Sequence, residues 1–194
     1  MATKIAVFAS GSGSNFQAIQ EAIVRGELDA SVELVVTDKP NAFVVTRAKN
    51  FDIPVFAFSA KDYASKADYE QEIVRVLREN DVKWIVLAGY MRLIGETLLS
   101  AFPNRIVNIH PSLLPSFPGK DAIGQAMDHG VKVTGVTVHF VDEGMDTGPI
   151  LAQAAVDVVV GDREATEERI HAIEHQLYTK TLKQLFENKV NIIH

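Results

Sequence analysis

Strands alternating with helices predict an α/β fold for this chain: a mainly parallel, twisted sheet with helices on both faces. Two observations carry the reading. Residues 5–9 and 84–88 are continuous apolar runs, as expected of strands buried on both faces. Between such runs lie stretches whose apolar residues recur at helical spacing. A third observation extends it. After Gly130 come two strand-like runs, 131–140 and 150–160, separated by the loop from Asp142 to Pro149. They predict an antiparallel C-terminal extension of the sheet.

The elements follow in order. Strand 5–9 enters the loop Gly11-Ser12-Gly13-Ser14-Asn15, and a helix follows with Phe16, Ala18, Ile19, Ala22 and Ile23 as its apolar positions. Strand 32–36 ends in the turn Asp38-Lys39-Pro40-Asn41. A short helix over about 43–50 leads to strand 54–58. The spacing predicts a helix over 68–80, with Tyr69, Ile73, Val76 and Leu77 on one face. Strand 84–88 breaks at Gly89, and 95–101 reads as a short helix. Residues 106–107 open a strand that turns polar at Asn108, and 121–129 reads as a helix ending at Gly130. Strand 131–140 partly alternates. The last helix starts near Asp162, an N-cap residue type, and its apolar side is Ile170, Ile173, Leu177, Leu182 and Leu185. No repeat or linker interrupts the series, so 1–194 is read as a single domain.

Composition narrows the function classes. A chain of 194 residues that is 47% hydrophobic can bury a sizeable core. Cysteine is absent, which excludes disulfides, thiolate nucleophiles and Cys-ligated metals and fits a reducing, cytoplasmic setting. No apolar run approaches the roughly 18 residues of a membrane helix, so no membrane partner is expected. The N-terminus reads as a first strand, not a signal peptide. Net charge is −6 and the Lys and Arg residues are scattered, so no nucleic-acid partner is expected.

Chemistry concentrates in residues 105–119, RIVNIHPSLLPSFPG. Asn108 and His110 are two apart, and in a strand such residues share a face. Four of the seven prolines (Pro103, Pro111, Pro115 and Pro118) lie in or just before this stretch, and each ring fixes φ. A stiff loop at a strand's end suits a site that must hold reacting groups still; the plainer reading is a proline-rich connection. In sheets of this class ligands bind at the carboxyl ends of strands. The segments 11–15, 89–92, 108–119 and 142–146 are expected to gather there.

Other segments leave alternatives open. The loop 11–15 is either a phosphate site, with glycines and a helix N-terminus facing an anion, or a tight turn capped by Ser14 or Asn15. It lacks the dinucleotide fingerprint, because Phe16 stands where the third glycine belongs, and it lacks the lysine of a Walker loop. His171, Glu174 and His175 match H-x-x-E-H, either a polar helix face or two zinc ligands with Glu187 as the one downstream carboxylate. His139 reads as a satisfied, partly buried strand residue. Arg92 is either solvated or a guanidinium for a ligand. Asp142, Glu143 and Asp146 are loop acids, of which Asp146 is set apart by the Asp-Thr-Gly-Pro turn. If it reached His110 it would stabilise the imidazolium.

Taken together these segments resemble the folate-dependent formyltransferases. The residues that carry the resemblance are Gly11 to Asn15, Leu87-Ala88-Gly89-Tyr90-Met91-Arg92, Asn108-Ile109-His110-Pro111-Ser112-Leu113-Leu114-Pro115, Phe117-Pro118-Gly119 and Asp146-Thr147-Gly148-Pro149-Ile150. Nearly the whole chain aligns. The resemblance implies a Rossmann-like α/β enzyme of purine biosynthesis. It would move the formyl group of 10-formyltetrahydrofolate, a co-substrate, to the primary amine of glycinamide ribonucleotide. It implies a catalytic trio of Asn108, His110 and Asp146. It implies that Gly13, Ser14 and Asn15 hold the ribonucleotide phosphate, with Gly119 and Glu174 near the same substrate. The N-terminal half would thus carry the phosphate site, and the C-terminal half the catalytic and folate-binding loops. The folate is expected against Met91, Arg92, Leu93, Ile94 and Asn108 and the loop Asp142, Glu143, Gly144, Met145. Lys66 stands where the family often has an Arg for the folate's glutamate tail, and it keeps the charge but not the bidentate fork. Lys120-Asp121 departs from members with a His at the second position. No metal is expected, and a homodimer is one compatible assembly.

The residues alone agree on the chemistry. Formyl transfer between nitrogens passes through a tetrahedral oxyanion, which calls for a hydrogen-bond donor and a proton shuttle. Asn108 suits the first task and His110 both, with Asp146 setting the imidazole's charge and orientation. Two other functions fit parts of the sequence: a zinc hydrolase built on His171 and His175, and a non-catalytic phosphate- or nucleotide-binding domain.

Overall fold

The apolar run near the N-terminus forms β1 (Thr3–Phe8), and Ile5 through Ala9 have no solvent exposure. In the computed structural model, which describes residues 1–188, the chain divides into two compact units, Met1–Val107 and Asn108–His194. The C-terminal limit of the expected domain, residue 194, lies outside the described residues.

In the first unit β1 pairs in parallel with β2 (Ala30–Thr37) and β4 (Trp84–Leu87), and β2 pairs in parallel with β3 (Val55–Ala57). The helices are α1 (Ser14–Val24), α2 (Phe43–Asn50), α3 (Lys66–Glu79) and α4 (Glu96–Ala101). The path steps outward from β1 to β2 to β3, then crosses back to β4 on the other side of β1. Right-handed crossovers therefore put α1 and α2 on one face and α3 on the other. That is why β1 is buried on both sides. The order reverses between β1 and β4, where the loops after these strands lie side by side: the Ser10 amide donates to the Gly89 carbonyl at 2.9 Å. Such a switch point is where α/β sheets bind ligands.

The strand β5 (Ile106–His110) crosses the unit boundary, with Ile106 and Val107 in the first unit. In the second unit, α5 (Ala122–His129) ends on Gly130 in a left-handed conformation (φ 80°), the glycine C-cap expected. Strands β6 (Val133–Phe140) and β7 (Ile150–Asp157) pair antiparallel, and α6 (Arg163–Phe186) packs on both. Ile170, Tyr178 and Leu182 of α6 are fully buried. Each such aliphatic side chain contributes about 1.5–3 kcal/mol. The strand order, β3-β2-β1-β4-β5-β6-β7, is the mainly parallel α/β sheet with the antiparallel C-terminal extension read from the sequence. Among the described residues no helix is long and apolar enough to cross a membrane.

Several details differ from expectation. Neither Ser14 nor Asn15 caps α1; the N-cap is Gly13, with φ 75° and no side chain to offer. Helix α3 starts at Lys66 rather than 68, because the Ser65 side chain accepts from the Asp68 amide. Strand β6 does not alternate: all but its first residue are buried, because it lies between β5 and β7 with α6 packed against it. β7 stops at Asp157, three residues short of the expected end, and Asp162 caps α6 by accepting from the Ala165 amide at 3.0 Å.

Candidate active site

The carboxyl end of β5 holds the expected pair, and β6 and the loop after it supply their partners. His110 is 6% exposed. Its Nε2 meets the Phe117 carbonyl at 2.9 Å and its Nδ1 stands 3.6 Å from Asp146 Oδ2. Both ring nitrogens thus face oxygens, the Phe117 carbonyl within hydrogen-bond distance and the Asp146 carboxylate just beyond it. The same Asp146 oxygen accepts the Gly119 amide at 2.8 Å, and Oδ1 lies 3.8 Å from His139 Nε2. Asp146 has φ 57°, a left-handed conformation that Asp tolerates better than most residues. Its loop is knotted by Asp142, whose Oδ1 accepts from the Gly144 amide at 3.0 Å and the Thr147 hydroxyl at 2.6 Å.

His139 belongs to this cluster, which the sequence reading missed. It is buried as expected, yet its neighbours are the site residues. Its Nδ1 donates to the Phe140 carbonyl at 2.8 Å, so Nε2 is left as the acceptor for the Asn108 amide nitrogen at 3.3 Å. Burial lowers the His139 pKa, outweighing the Phe140 carbonyl and Asp146, and so favours that neutral tautomer. This contact sets which end of the Asn108 amide is NH2, and its second N–H remains to donate elsewhere. The signal was structural: the β6–β7 register slips between Val138 and His139, so His139 faces Ile150 and Leu151 is skipped. Such a bulge re-aims a side chain in a way no periodicity reports.

Gly119 (φ 80°) contributes its amide to Asp146 and closes the proline-rich segment, near Met145, whose sulfur would lie 3.3 Å from a Cβ placed there. Met145 is 56% exposed. Glu174 is buried on α6 while His171 is exposed. Among the described residues no group of three His, Cys, Asp or Glu is placed to hold a metal ion, so a zinc site at His171 and His175 lacks its third ligand.

In the first unit the loop 11–15 turns from β1 into α1 through Gly13. A Cβ there would come within 2.6 Å of the Val44 side chain and 3.0 Å of its Cα. The first turn of α1 carries no acidic residue. Arg47 of α2 reaches back to donate to the Ser12 carbonyl at 2.7 Å. This is a glycine turn at a helix N-terminus with a guanidinium beside it, an arrangement suited to an anion. Beyond β4, Met91 and Leu93 are exposed apolar side chains and Ile94 is buried. Arg92 is not simply solvated: its Nε donates to Asp38 at 2.9 Å. Lys66 places its ammonium on the Leu93 carbonyl at 2.9 Å.

A mainly parallel sheet with a switch point, and an Asn–His–Asp cluster around a buried histidine at a strand end, suit an α/β enzyme. Residues 3–182 match the formyl transferase family, and the chain belongs to that family. The particular relatives are close and match along their length. The phosphoribosylglycinamide formyltransferase of Bacillus subtilis (strain 168) is 57% identical over 183 residues, 94% of each protein. The crystal structure of glycinamide ribonucleotide transformylase 1 from Geobacillus kaustophilus superposes with a TM-score of 0.93 at 61% identity, covering 95% of this chain and 99% of that one. That of phosphoribosylglycinamide formyltransferase from Bacillus halodurans gives 0.92 at 55% identity, covering 95% of both. The family expected from the motifs is thereby borne out, as is the expectation of an enzyme.

Proposed function

We propose that the chain transfers the formyl group of 10-formyltetrahydrofolate directly to the primary amine of glycinamide ribonucleotide, a step of purine biosynthesis. The observation that carries the reading is the convergence of Asn108, His110 and Asp146 at the end of β5. The full-length similarity to phosphoribosylglycinamide formyltransferases supports the choice of substrates.

The amine nitrogen attacks the formyl carbon, a C–N bond forms, and the carbonyl electrons move to oxygen. The free N–H of Asn108 and the His110 ring donate to that oxyanion. Asp146 holds the imidazolium opposite it. A proton passes from the attacking nitrogen to the folate N10, the C–N10 bond breaks, and the products are the formylated amide and tetrahydrofolate. His110 Nε2 is held by the Phe117 carbonyl, so acting on the substrate means exchanging that carbonyl for the substrate oxygen.

Gly13, Ser14 and Asn15 take the ribonucleotide phosphate at the α1 N-terminus, and Gly119 and Glu174 serve the same substrate. Asn108, the exposed apolar side chains of Met91 and Leu93, with Arg92 and Ile94, and the loop of Asp142, Glu143, Gly144 and Met145 receive the folate. Lys66 keeps an ammonium near the folate's glutamate tail while holding Leu93. The test is the absorbance change of 10-formyltetrahydrofolate on adding glycinamide ribonucleotide to purified protein. Loss of the formyl folate that depends on both substrates is the expected result. Ribonucleotide binding without formyl transfer would sink the reading in favour of a binding domain.

A further inference from the structure

The segment after β4 takes its shape from side chains outside it. The Met91 amide donates to Ser10 Oγ at 2.9 Å, and that hydroxyl donates to Asp38 Oδ1 at 2.5 Å. Arg92 Nε donates to the other carboxylate oxygen of Asp38 at 2.9 Å. Further along, Lys66 holds the Leu93 carbonyl and Glu70 Oε2 accepts the Gly95 amide at 2.9 Å. Ser10 and Asp38 are 4% and 6% exposed. A carboxylate so buried is tolerated when its oxygens are met, and here a hydroxyl meets one and a guanidinium the other.

The placement of these groups matters. Ser10 lies just past the end of β1 and Asp38 just past the end of β2, both on buried strands of the sheet. Asp38 therefore anchors residues 91 and 92 to rigid elements through two routes, one neutral and one charged. The side chains that remain open are apolar: Met91 is 60% and Leu93 44% exposed. A fixed backbone presenting exposed apolar groups suits a flat aromatic ligand, because the ordering that binding would otherwise require is already done.

We propose that Asp38 is a positioning residue for the folate: through Arg92 and Ser10 it holds residues 91 and 92 in the conformation that accepts the pterin. This rests on the reading that places the pterin against that segment. Asp38 touches no substrate in this role, so its removal loosens folate binding and leaves the chemistry at His110 intact.

The experiment pairs amide hydrogen exchange of the unliganded protein with steady-state kinetics, using Asp38→Ala, Asp38→Asn and Ser10→Ala. Asp38→Ala is expected to quicken exchange at the Met91 amide and raise the KM for 10-formyltetrahydrofolate about tenfold, the size expected when a preorganised site must be ordered on binding. Turnover and the ribonucleotide KM should stay within about twofold, since transition-state contacts are unaltered. Asp38→Asn, which keeps one acceptor but loses the charge, should fall between. Ser10→Ala removes only the neutral route and should move exchange and folate KM in the same direction. It keeps the question decidable should Asp38→Ala not fold. Unchanged Met91 exchange in the folded variants overturns the clamp. Quickened exchange with an unchanged folate KM overturns the pterin assignment, and the proposal with it. A turnover loss with both KM values unchanged overturns the positioning role.

Discussion

The Asn108 amide nitrogen lies 3.3 Å from Nε2 of His139, whose other ring nitrogen is bound to its neighbour's carbonyl. A buried neutral histidine thus orients the amide proposed to stabilise the oxyanion. Its own charge state has a consequence for stability. The folded-state pKa of His139 is lowered below 6.5, chiefly by burial. The unfolded chain then binds more protons than the folded one in the window between the lowered value and 6.5, so stability rises with pH there. Acidification should lower the thermal midpoint as pH falls through the ordinary histidine range, at about 6.5, and on toward the folded value. His139→Gln should flatten that dependence. Melting curves of both proteins across this range check it, and equal pH slopes would refute it.

Asn108→Ala should lower turnover by about two to three orders of magnitude, as for a lost oxyanion donor. Binding of the ribonucleotide should change little and that of the folate much less than turnover, because the oxyanion interaction is made chiefly in the transition state. Rapid-quench kinetics with calorimetric binding separate the two. Turnover near wild type would take Asn108 out of the mechanism.

His110 and Asp146 should act as one unit. Asp146→Asn keeps the shape and the acceptor for the Gly119 amide but removes the charge opposite His110. Turnover should drop by about two orders of magnitude or more, the scale of a general acid–base contribution, with binding much less affected. The double variant Asp146→Asn with His110→Ala should be little worse than the poorer single variant, since members of a unit are non-additive. Fully additive losses would separate the two roles.

Gly13→Ala should abolish ribonucleotide binding and also destabilise the protein. The added Cβ would need φ 75° and would meet Val44 at 2.6 Å, so α2 must shift away from the loop. The expected loss is about 1–3 kcal/mol, the range for an overpacked, left-handed position. Chemical denaturation and calorimetry measure the two effects. Full ribonucleotide affinity in folded protein would remove the phosphate site from this loop.

What the sequence determined by itself is whatever neighbours along the chain enforce. The unbroken apolar run at β1 can be stable only when covered on both faces, and that demand, with the alternating helices, dictates the α/β class. The two-residue spacing of Asn108 and His110 fixes their common side because a strand repeats every two residues. Asp162 and Gly130 mark helix ends through local backbone geometry. The tertiary structure alone decided what depends on pairing between distant segments. The slip in β6–β7 register turns His139 toward Asn108, and the fold of the 142–147 loop carries Asp146 to His110. Asp38 reads as a turn residue, yet it is buried beneath Arg92, 54 positions away. Strand register and loop closure are settled by packing against partners far off in the chain. No local period records which partner a buried histidine or carboxylate will meet.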